Sequence, residues 1–384
     1  MDNIRNILLV ENSGRDFYNS RINLAIFLIK QGYNVSVLVP HDDYVEKIKS
    51  SGLQVFTFQS NGKRLGLNSL IAIIKACRKL YRTHNFHCVH SFRFYPNLIN
   101  ALTSWNSSRK SILHVTGLGI VYSSNSFKFK IYRLIYNFIY FFIVLISDCT
   151  IVQNPDDKKN LGFFKIVDKK IILIKGSGVD TNLFSFNTNA RQRIRNEFDA
   201  SEQQTIFMCV TRLIWEKGVV EMVKAFQKNT TDFPDARLII VGDPDFDNPN
   251  HVTINYIKEN NKGNVLFLGR KSNIAELLSA ADIFLFPSYY REGIPRGLLE
   301  ALSIGMPIIT TSMPGCNLTV DQGENGLLIE PRSTSAISEA IGYMLINKDQ
   351  FLMMGQKSRS KAFNEFSENI IFNQILGIYK SLDL

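Results

Sequence analysis

Short apolar runs alternate with amphipathic helical stretches along most of this chain, and that alternation restricts the fold more than any other feature. "RNILLV" (5–10) precedes a helical "SRINLAIFLIKQG" and then "NVSVLVP". "LQVFTF", the helical "LNSLIAIIKACRKLYR", "FHCVHSF", "SILHV", a long helix at 127–147, "CTIVQN" and "KIILI" continue the pattern. Strands separated by helices imply a parallel sheet covered on both faces. The pattern pauses at "GSGVDTNLFSFNTNARQRIRNEFDASEQQ" (176–204), which is polar, has no strand period and reads as a linker. A second set begins with "TIFMCV" (205–210) and runs through "ARLIIVGD", "NVLFLG", "DIFLFPS", "MPIITT" and "GLLIE", and the chain closes in helices near 333–346 and 368–381. With 384 residues there is enough chain for two full cores. The expected fold class is α/β, two doubly wound domains, with ligands bound in a cleft outside the carboxyl ends of the strands.

Charge narrows the partners. Residues 1–175 hold 24 Lys/Arg against 10 Asp/Glu, and the remainder holds 20 against 24. No acidic residue lies between Glu46 and Asp148, yet that stretch carries fourteen basic ones, Lys63, Arg64, Lys75, Arg78, Lys79 and Arg82 among them. Such asymmetry implies an anionic partner for the first half. No nucleic-acid motif is present, so the expectation is an anionic membrane and no nucleic acid. "FKFKIYRLIYNFIYFFIVLIS" (127–147) mixes basic and bulky apolar residues. Its uninterrupted apolar run, Phe138 to Ile146, is too short to cross a bilayer of about 30 Å, so the stretch reads either as an interfacial helix or as a core helix.

The five cysteines are scattered, no C-x-x-C pair occurs and no signal peptide is evident, which reads as a reducing cytoplasm. The alternating histidines of "HCVH" (87–90) read as a strand and not as a metal site. A G-x-G-x-x-G fingerprint is absent; "VENSGRD" supplies only Gly14, which counts against an NAD enzyme.

Two stretches carry chemistry. In "CVTRLIWEKGVVEMVKAF" (209–226), Arg212 and Lys217 follow a strand end, where two cations suit a diphosphate. In "SYYREGIPRGLLEALSIGMPIITTSMPGC" (288–316), Glu292 sits in a turn with Gly293, Ile294 and Pro295. Glu300 sits a turn or two into the helix beyond Pro295, whose positive end faces the same region. A carboxylate that accepts two vicinal ribose hydroxyls is a recurrent device of nucleotide sites.

"REGIPRGLLEALSIGMPIITT" resembles the Glu-x7-Glu signature of the family 4 retaining glycosyltransferases, which have the GT-B fold. "TRLIWEKGV", "VGD", "FLGR", "ADIFLFPS", "MPGC", "ENGLLIEP", "VTGLG", "QNPDD" and "GSGVDTNLF" stand in the family's order. The resemblance implies an N-terminal acceptor-binding Rossmann-like domain (1–175), a linker (176–204) and a C-terminal nucleotide-sugar-binding one (205–365). It also implies a C-terminal helix (366–384) that packs back on the first domain. It assigns Arg212 and Lys217 to the donor diphosphate, Glu292 to the transferred sugar and Glu300 to the ribose. Gly242, Gly293, Ile294 and Pro295 complete the donor site, and Gly14, Thr116 and Gly117 are acceptor residues. The family's N-domain histidine is replaced by Thr116; His114, two residues earlier on the same strand face, is the candidate in its place. The subset with "VTGLG" and "QNPDD" looks like bacterial enzymes of O-antigen or capsule synthesis acting on a polyprenyl-diphosphate-linked glycan. The expectation is a retaining hexosyltransferase, UDP-sugar dependent and metal-independent, peripheral on the cytoplasmic face of the inner membrane. A nucleotide-sugar 2-epimerase on the same plan and a non-catalytic glycan- or membrane-binding protein are the alternatives.

Overall fold

The computed structural model describes the chain except residues 1–4, 60–66, 124–125, 164, 230–231, 247 and 261–262. Lys63 and Arg64 lie outside the described residues. The chain divides into two compact units, residues 1–177 with 368–384, and 178–367.

The first unit is a seven-stranded parallel sheet. Its strands are β1 (Asn6–Val10), β2 (Asn34–Pro40), β3 (Gln54–Phe58), β4 (Cys88–Phe92), β5 (Lys110–Val115), β6 (Cys149–Val152) and β7 (Ile171–Leu173). The order is β3-β2-β1-β4-β5-β6-β7, so the chain reverses its winding between β1 and β4. The period of two sorts β1 cleanly: Ile7 and Leu9 join one core with Phe17, Leu24 and Leu28, while Leu8 and Val10 join another with Ile73, Cys77 and Leu80. On the first face the C-terminal helix Glu368–Ser381 buries Ile371, Ile375, Ile378 and Tyr379. On the other face the helices Leu67–Thr83, Phe94–Ser104 and Phe127–Ile146 pack side by side.

The second unit is a six-stranded parallel sheet. Its strands are β8 (Thr205–Val210), β9 (Ala236–Val241), β10 (Val265–Gly269), β11 (Ile283–Phe286), β12 (Ile308–Thr311) and β13 (Gly326–Ile329), ordered β10-β9-β8-β11-β12-β13. The polar stretch read as a linker is part of this unit from Gly178 onward and contains the helix Thr188–Glu197. Asn187 caps that helix by accepting from the Ala190 N–H at 2.9 Å. Arg195, polar in sequence, is buried in the fold, where its guanidinium donates to the carbonyls of Ala280 (3.0 Å) and Ser201 (2.6 Å). It also pairs with the Asp282 carboxylate, Nη1 to Oδ2 at 3.3 Å, 87 residues further on, which nothing near Arg195 in the sequence announces.

A buried polar chain crosses the first unit. With the Gln153 amide donating to His114 Nε2 (3.2 Å), His114 Nδ1–H donates to His90 Nε2 (3.3 Å), and His90 Nδ1–H reaches the Tyr379 hydroxyl oxygen at 2.9 Å. Tyr379→Phe removes the last partner and leaves a buried imidazole N–H unsatisfied. We expect it to destabilise the first unit by about 1–3 kcal/mol, read by denaturant unfolding.

Candidate functional site

The second unit gathers its charged groups at the carboxyl ends of β8 and β11. After β8 the chain makes a 3₁₀ turn, Trp215–Lys217, closed by Gly218 at φ 70°. A Cβ on Gly218 would lie 2.2 Å from the Pro287 carbonyl oxygen, so only glycine permits this approach to the loop after β11. The turn aims the nearly buried Lys217 ammonium at the Glu292 carboxylate, with which it forms an ion pair. Two rings flank the ammonium, Phe286 at 4.9 Å and Tyr290 at 5.7 Å. Gly315 approaches the backbone of Gly293 so closely that a Cβ there would lie 1.8 Å from its carbonyl oxygen, which fixes the loop that bears Glu292.

Gly293, Ile294 and Pro295 are buried, and the helix Arg296–Ile304 starts directly after Pro295. Glu300 lies one turn in, where it accepts from Arg296 Nε at 3.0 Å. Burial raises the Glu300 carboxyl above the usual range, and the Arg296 charge opposes that shift. Arg212 is not part of the Lys217–Glu292 pair. It is half-exposed and donates to Asp245 Oδ2 at 2.7 Å, after β9. Gly242, also after β9, has φ 141°, and a Cβ there would lie 1.7 Å from the Thr211 carbonyl oxygen. Its place is set by strand packing. Sequence reasoning missed Asp245 and Arg296; the i, i+4 spacing of Arg296 and Glu300 was the available signal for the second.

In the first unit, Gly14 opens the helix Gly14–Ser20 that follows β1. Its N–H is taken by Asp42 Oδ2 at 2.9 Å, and a Cβ would lie 2.3 Å from Asp42 Oδ1. Thr116 and Gly117 follow β5 and are partly exposed, with Gly117 at φ 120°. His114 is 1% exposed and both ring nitrogens are engaged, so the histidine that sequence offered as catalytic is an interior group in this structure. Burial, with the Arg21 charge, holds its pKa well below the ordinary value. Two groups that sequence reasoning passed over adjoin this region. Glu11 is buried, with its pKa raised to about 7 chiefly by desolvation. Arg93 forms ion pairs with Glu11 and Asp16.

The helix Phe127–Ile146 is 20 residues long, and its most apolar window has a mean hydropathy of 1.6. By length and composition alone it is long and apolar enough to cross a membrane. Tyr140, Ile143 and Val144 are buried against Leu113, Val115 and Val152 of β5 and β6, while Phe127, Ile131, Leu134, Ile135, Phe138 and Phe142 are exposed. Spaced at i, i+4, i+7, i+8, i+11 and i+15, those six lie on one outward stripe.

Residues 190–361 match the model of the glycosyl transferases group 1, and residues 6–148 match the glycosyl transferase 4-like model. The N,N'-diacetylbacillosaminyl-diphospho-undecaprenol α-1,3-N-acetylgalactosaminyltransferase of Campylobacter jejuni is 26% identical, over 96% of this chain and 97% of that protein. The UDP-Gal:α-D-GlcNAc-diphosphoundecaprenol α-1,3-galactosyltransferase of Escherichia coli is 26% identical, over 78% of this chain and 76% of that protein. Among solved structures, a glycosyltransferase from Rickettsia africae superposes with a TM-score of 0.79 at 21% identity, over 99% of both chains. HepE of Anabaena, in complex with UDP and glucose, superposes with a TM-score of 0.81 at 17% identity, over 98% of this chain and all of that one.

Two measurements test the charges. A double-mutant cycle of Lys217→Met and Glu292→Gln should give a coupling energy of roughly 1–3 kcal/mol, because each single variant leaves the other charge partly buried. For Glu11, the folded state keeps a proton that the unfolded chain releases above pH about 4.5. The carboxyl's contribution is therefore fully present below that pH and is lost as pH rises through about 7. The stability of wild type relative to Glu11→Gln should fall across this window, at most about 1.4 kcal/mol per pH unit, in denaturant titrations at several pH values. Together the two glycosyltransferase family models match most of the chain, which has the GT-B fold and is a glycosyltransferase.

Proposed function

We propose that this glycosyltransferase moves a hexosyl group, with retention, from a UDP-sugar to a polyprenyl-diphosphate-linked glycan of a surface polysaccharide such as O-antigen or capsule. The observation that carries the reading is the Lys217–Glu292 ion pair at the carboxyl end of a parallel sheet, beside the N-terminus of the helix Arg296–Ile304. In this reading the donor diphosphate takes over the Lys217 ammonium. Glu292, released from the lysine, accepts hydroxyls of the sugar, and Glu300 accepts the ribose hydroxyls. Arg212, half-exposed beside Asp245, turns to the diphosphate. Lys217, Arg212 and the helix N-terminus supply the positive charge that stabilises the leaving nucleotide, so the transfer proceeds without a metal ion. The printed activities of the Campylobacter and Escherichia relatives, both on undecaprenyl-diphosphate glycans, support this acceptor class.

A lipid acceptor has to be met at a membrane surface. The outward stripe of the helix Phe127–Ile146 gives apolar contact. Lys128 and Lys130 near its start, with Lys75, Arg78, Lys79 and Arg82 on the neighbouring helical layer, suit anionic headgroups. The reading is therefore of a peripheral protein at the cytoplasmic face of the inner membrane.

A screen of UDP- and GDP-sugars with membranes that contain polyprenyl-diphosphate-linked sugar tests the reading through nucleotide release. One UDP-sugar should be consumed in an acceptor-dependent way. Arg212→Ala and Glu292→Ala should each lower the rate by ~10²–10³. Consumption of a sugar nucleotide without any acceptor, yielding an epimerised free sugar, would replace the transferase reading. In flotation with phosphatidylglycerol vesicles, Leu134→Asp/Phe138→Asp should abolish co-flotation that the wild type shows.

A further inference from the structure

The winding of the first sheet reverses between β1 and β4, and the crevice outside the carboxyl ends of such a strand pair is where open α/β sheets hold ligands. Two charged residues leave the sheet at that point. Glu11 directly follows β1, and Arg93 directly follows β4. Arg93 is a non-glycine residue at φ 72° and ψ 170°, a conformation that L side chains rarely adopt and that the surrounding structure imposes. Its guanidinium lies across the end of β1, with Nε 3.4 Å from Glu11 Oε1 and Nη2 2.7 Å from Asp16 Oδ2. Asp16 is fixed in turn by the first turn of the helix Gly14–Ser20, where Ser13 caps its N–H at 3.2 Å. Arg21 packs its guanidinium over the Phe92 ring at 4.5 Å and adds a further positive charge near Glu11.

The exposures divide the roles. Glu11 is sealed, at 1%, whereas Arg93 and Asp16 present 42% and 29% of their side chains to solvent. What a ligand meets is thus a guanidinium donor and a carboxylate acceptor side by side, with no net charge between them. A phosphate would be repelled by Asp16, and a bare cation by Arg93. A pair of vicinal hydroxyls satisfies both, one hydroxyl donating to the carboxylate and its neighbour accepting from the guanidinium. We propose that Asp16 and Arg93 bind vicinal hydroxyls of the acceptor's sugar, and that Glu11 is a positioning residue which holds the Arg93 guanidinium in place. This rests on the proposed transfer to a glycan acceptor and moves the acceptor contact from the Gly14 N–H, which Asp42 already occupies, to side chains on either side of the β1–β4 crevice.

The groups facing Glu11 are Arg93, Arg21, Asp16 and the Asn12 N–H, and the carboxyl titrates at about 7. Sugar binding should therefore strengthen from pH 6 to pH 8 as Glu11 ionises and holds Arg93 fast. Saturation-transfer difference NMR on the full chain tests this, with methyl glycosides of glucose, galactose, GlcNAc and GalNAc as probes. Because UDP leaves the sugar pocket of the donor site open, the glycosides are also titrated against Glu292→Ala, and the binding that persists there is the binding assigned to this crevice. At least one glycoside should bind to wild type. Asp16→Ala and Arg93→Lys should weaken that binding about 10-fold or more. Glu11→Gln should stay folded, by circular dichroism, at pH 6 and pH 8 yet lose the rise in affinity between them. Absence of any glycoside signal from wild type would overturn the proposal, as would signals unchanged in Asp16→Ala and Arg93→Lys. Calorimetric titration of UDP into the same samples reports on the donor site separately. Intact UDP binding with no glycoside signal sinks only this inference, and glycoside binding without UDP binding sinks only the donor assignment.

Discussion

A lysine ammonium almost closed off from water stays charged only beside a counter-charge, and Lys217 has Glu292 for that purpose. The local structure of the second unit follows from keeping this pair. Gly218 turns the chain so that the lysine reaches it, Gly315 comes close under Gly293, and Phe286 and Tyr290 cover the ammonium without competing for its hydrogen bonds. A ligand phosphate that enters such a site does not create a charge contact from nothing. In the proposed reading it exchanges one anion for another against the same cation, and the displaced carboxylate turns to the sugar hydroxyls.

The first unit solves the opposite problem. Its interior holds His90, His114, Gln153 and Tyr379 in one hydrogen-bonded chain, and His90 is held neutral, with its pKa lowered to about 3 by burial. Neutral imidazoles can sit among apolar strands where charged ones cannot. The C-terminal helix therefore does more than cover Leu24 and Leu28, since Tyr379 closes the polar chain from outside the sheet. Charge is kept at the strand ends, where Glu11, Asp16 and Arg93 meet.

Much of the architecture was legible because parallel strands buried on both faces are nearly continuous apolar runs, and "RNILLV", "TIFMCV" and "DIFLFPS" are such runs. The local setting of Glu292 and Glu300 was legible for a similar reason: a strand end, a Gly-Pro turn and a helix start leave marks within a few residues. Interactions between distant residues left none. Nothing near Lys217 announces that its partner lies 75 residues further on, and nothing near His114 announces His90 and Gln153. Nothing near Arg195 announces the Ala280 carbonyl and the Asp282 carboxylate, 85 and 87 residues further on, that hold it in the interior. Arg93 is a further case, since a positive φ at a non-glycine residue is imposed by surrounding structure and is invisible in the residue's identity.

The helix Phe127–Ile146 shows why composition and placement have to be weighed together. A helix at the surface of a sheet usually turns its apolar side inward. This one places Tyr140, Ile143 and Val144 inward and still leaves Leu134, Phe138 and Phe142 in the open. Its hydropathy alone fits a membrane span, but a span would strip the apolar cover from Leu113, Val115 and Val152, which its buried side now shields. In the proposed membrane-surface reading the inner face stays on the sheet while the outer face meets another apolar medium. A helix lying along a bilayer surface, with Lys128 and Lys130 at headgroup level, meets both demands at once.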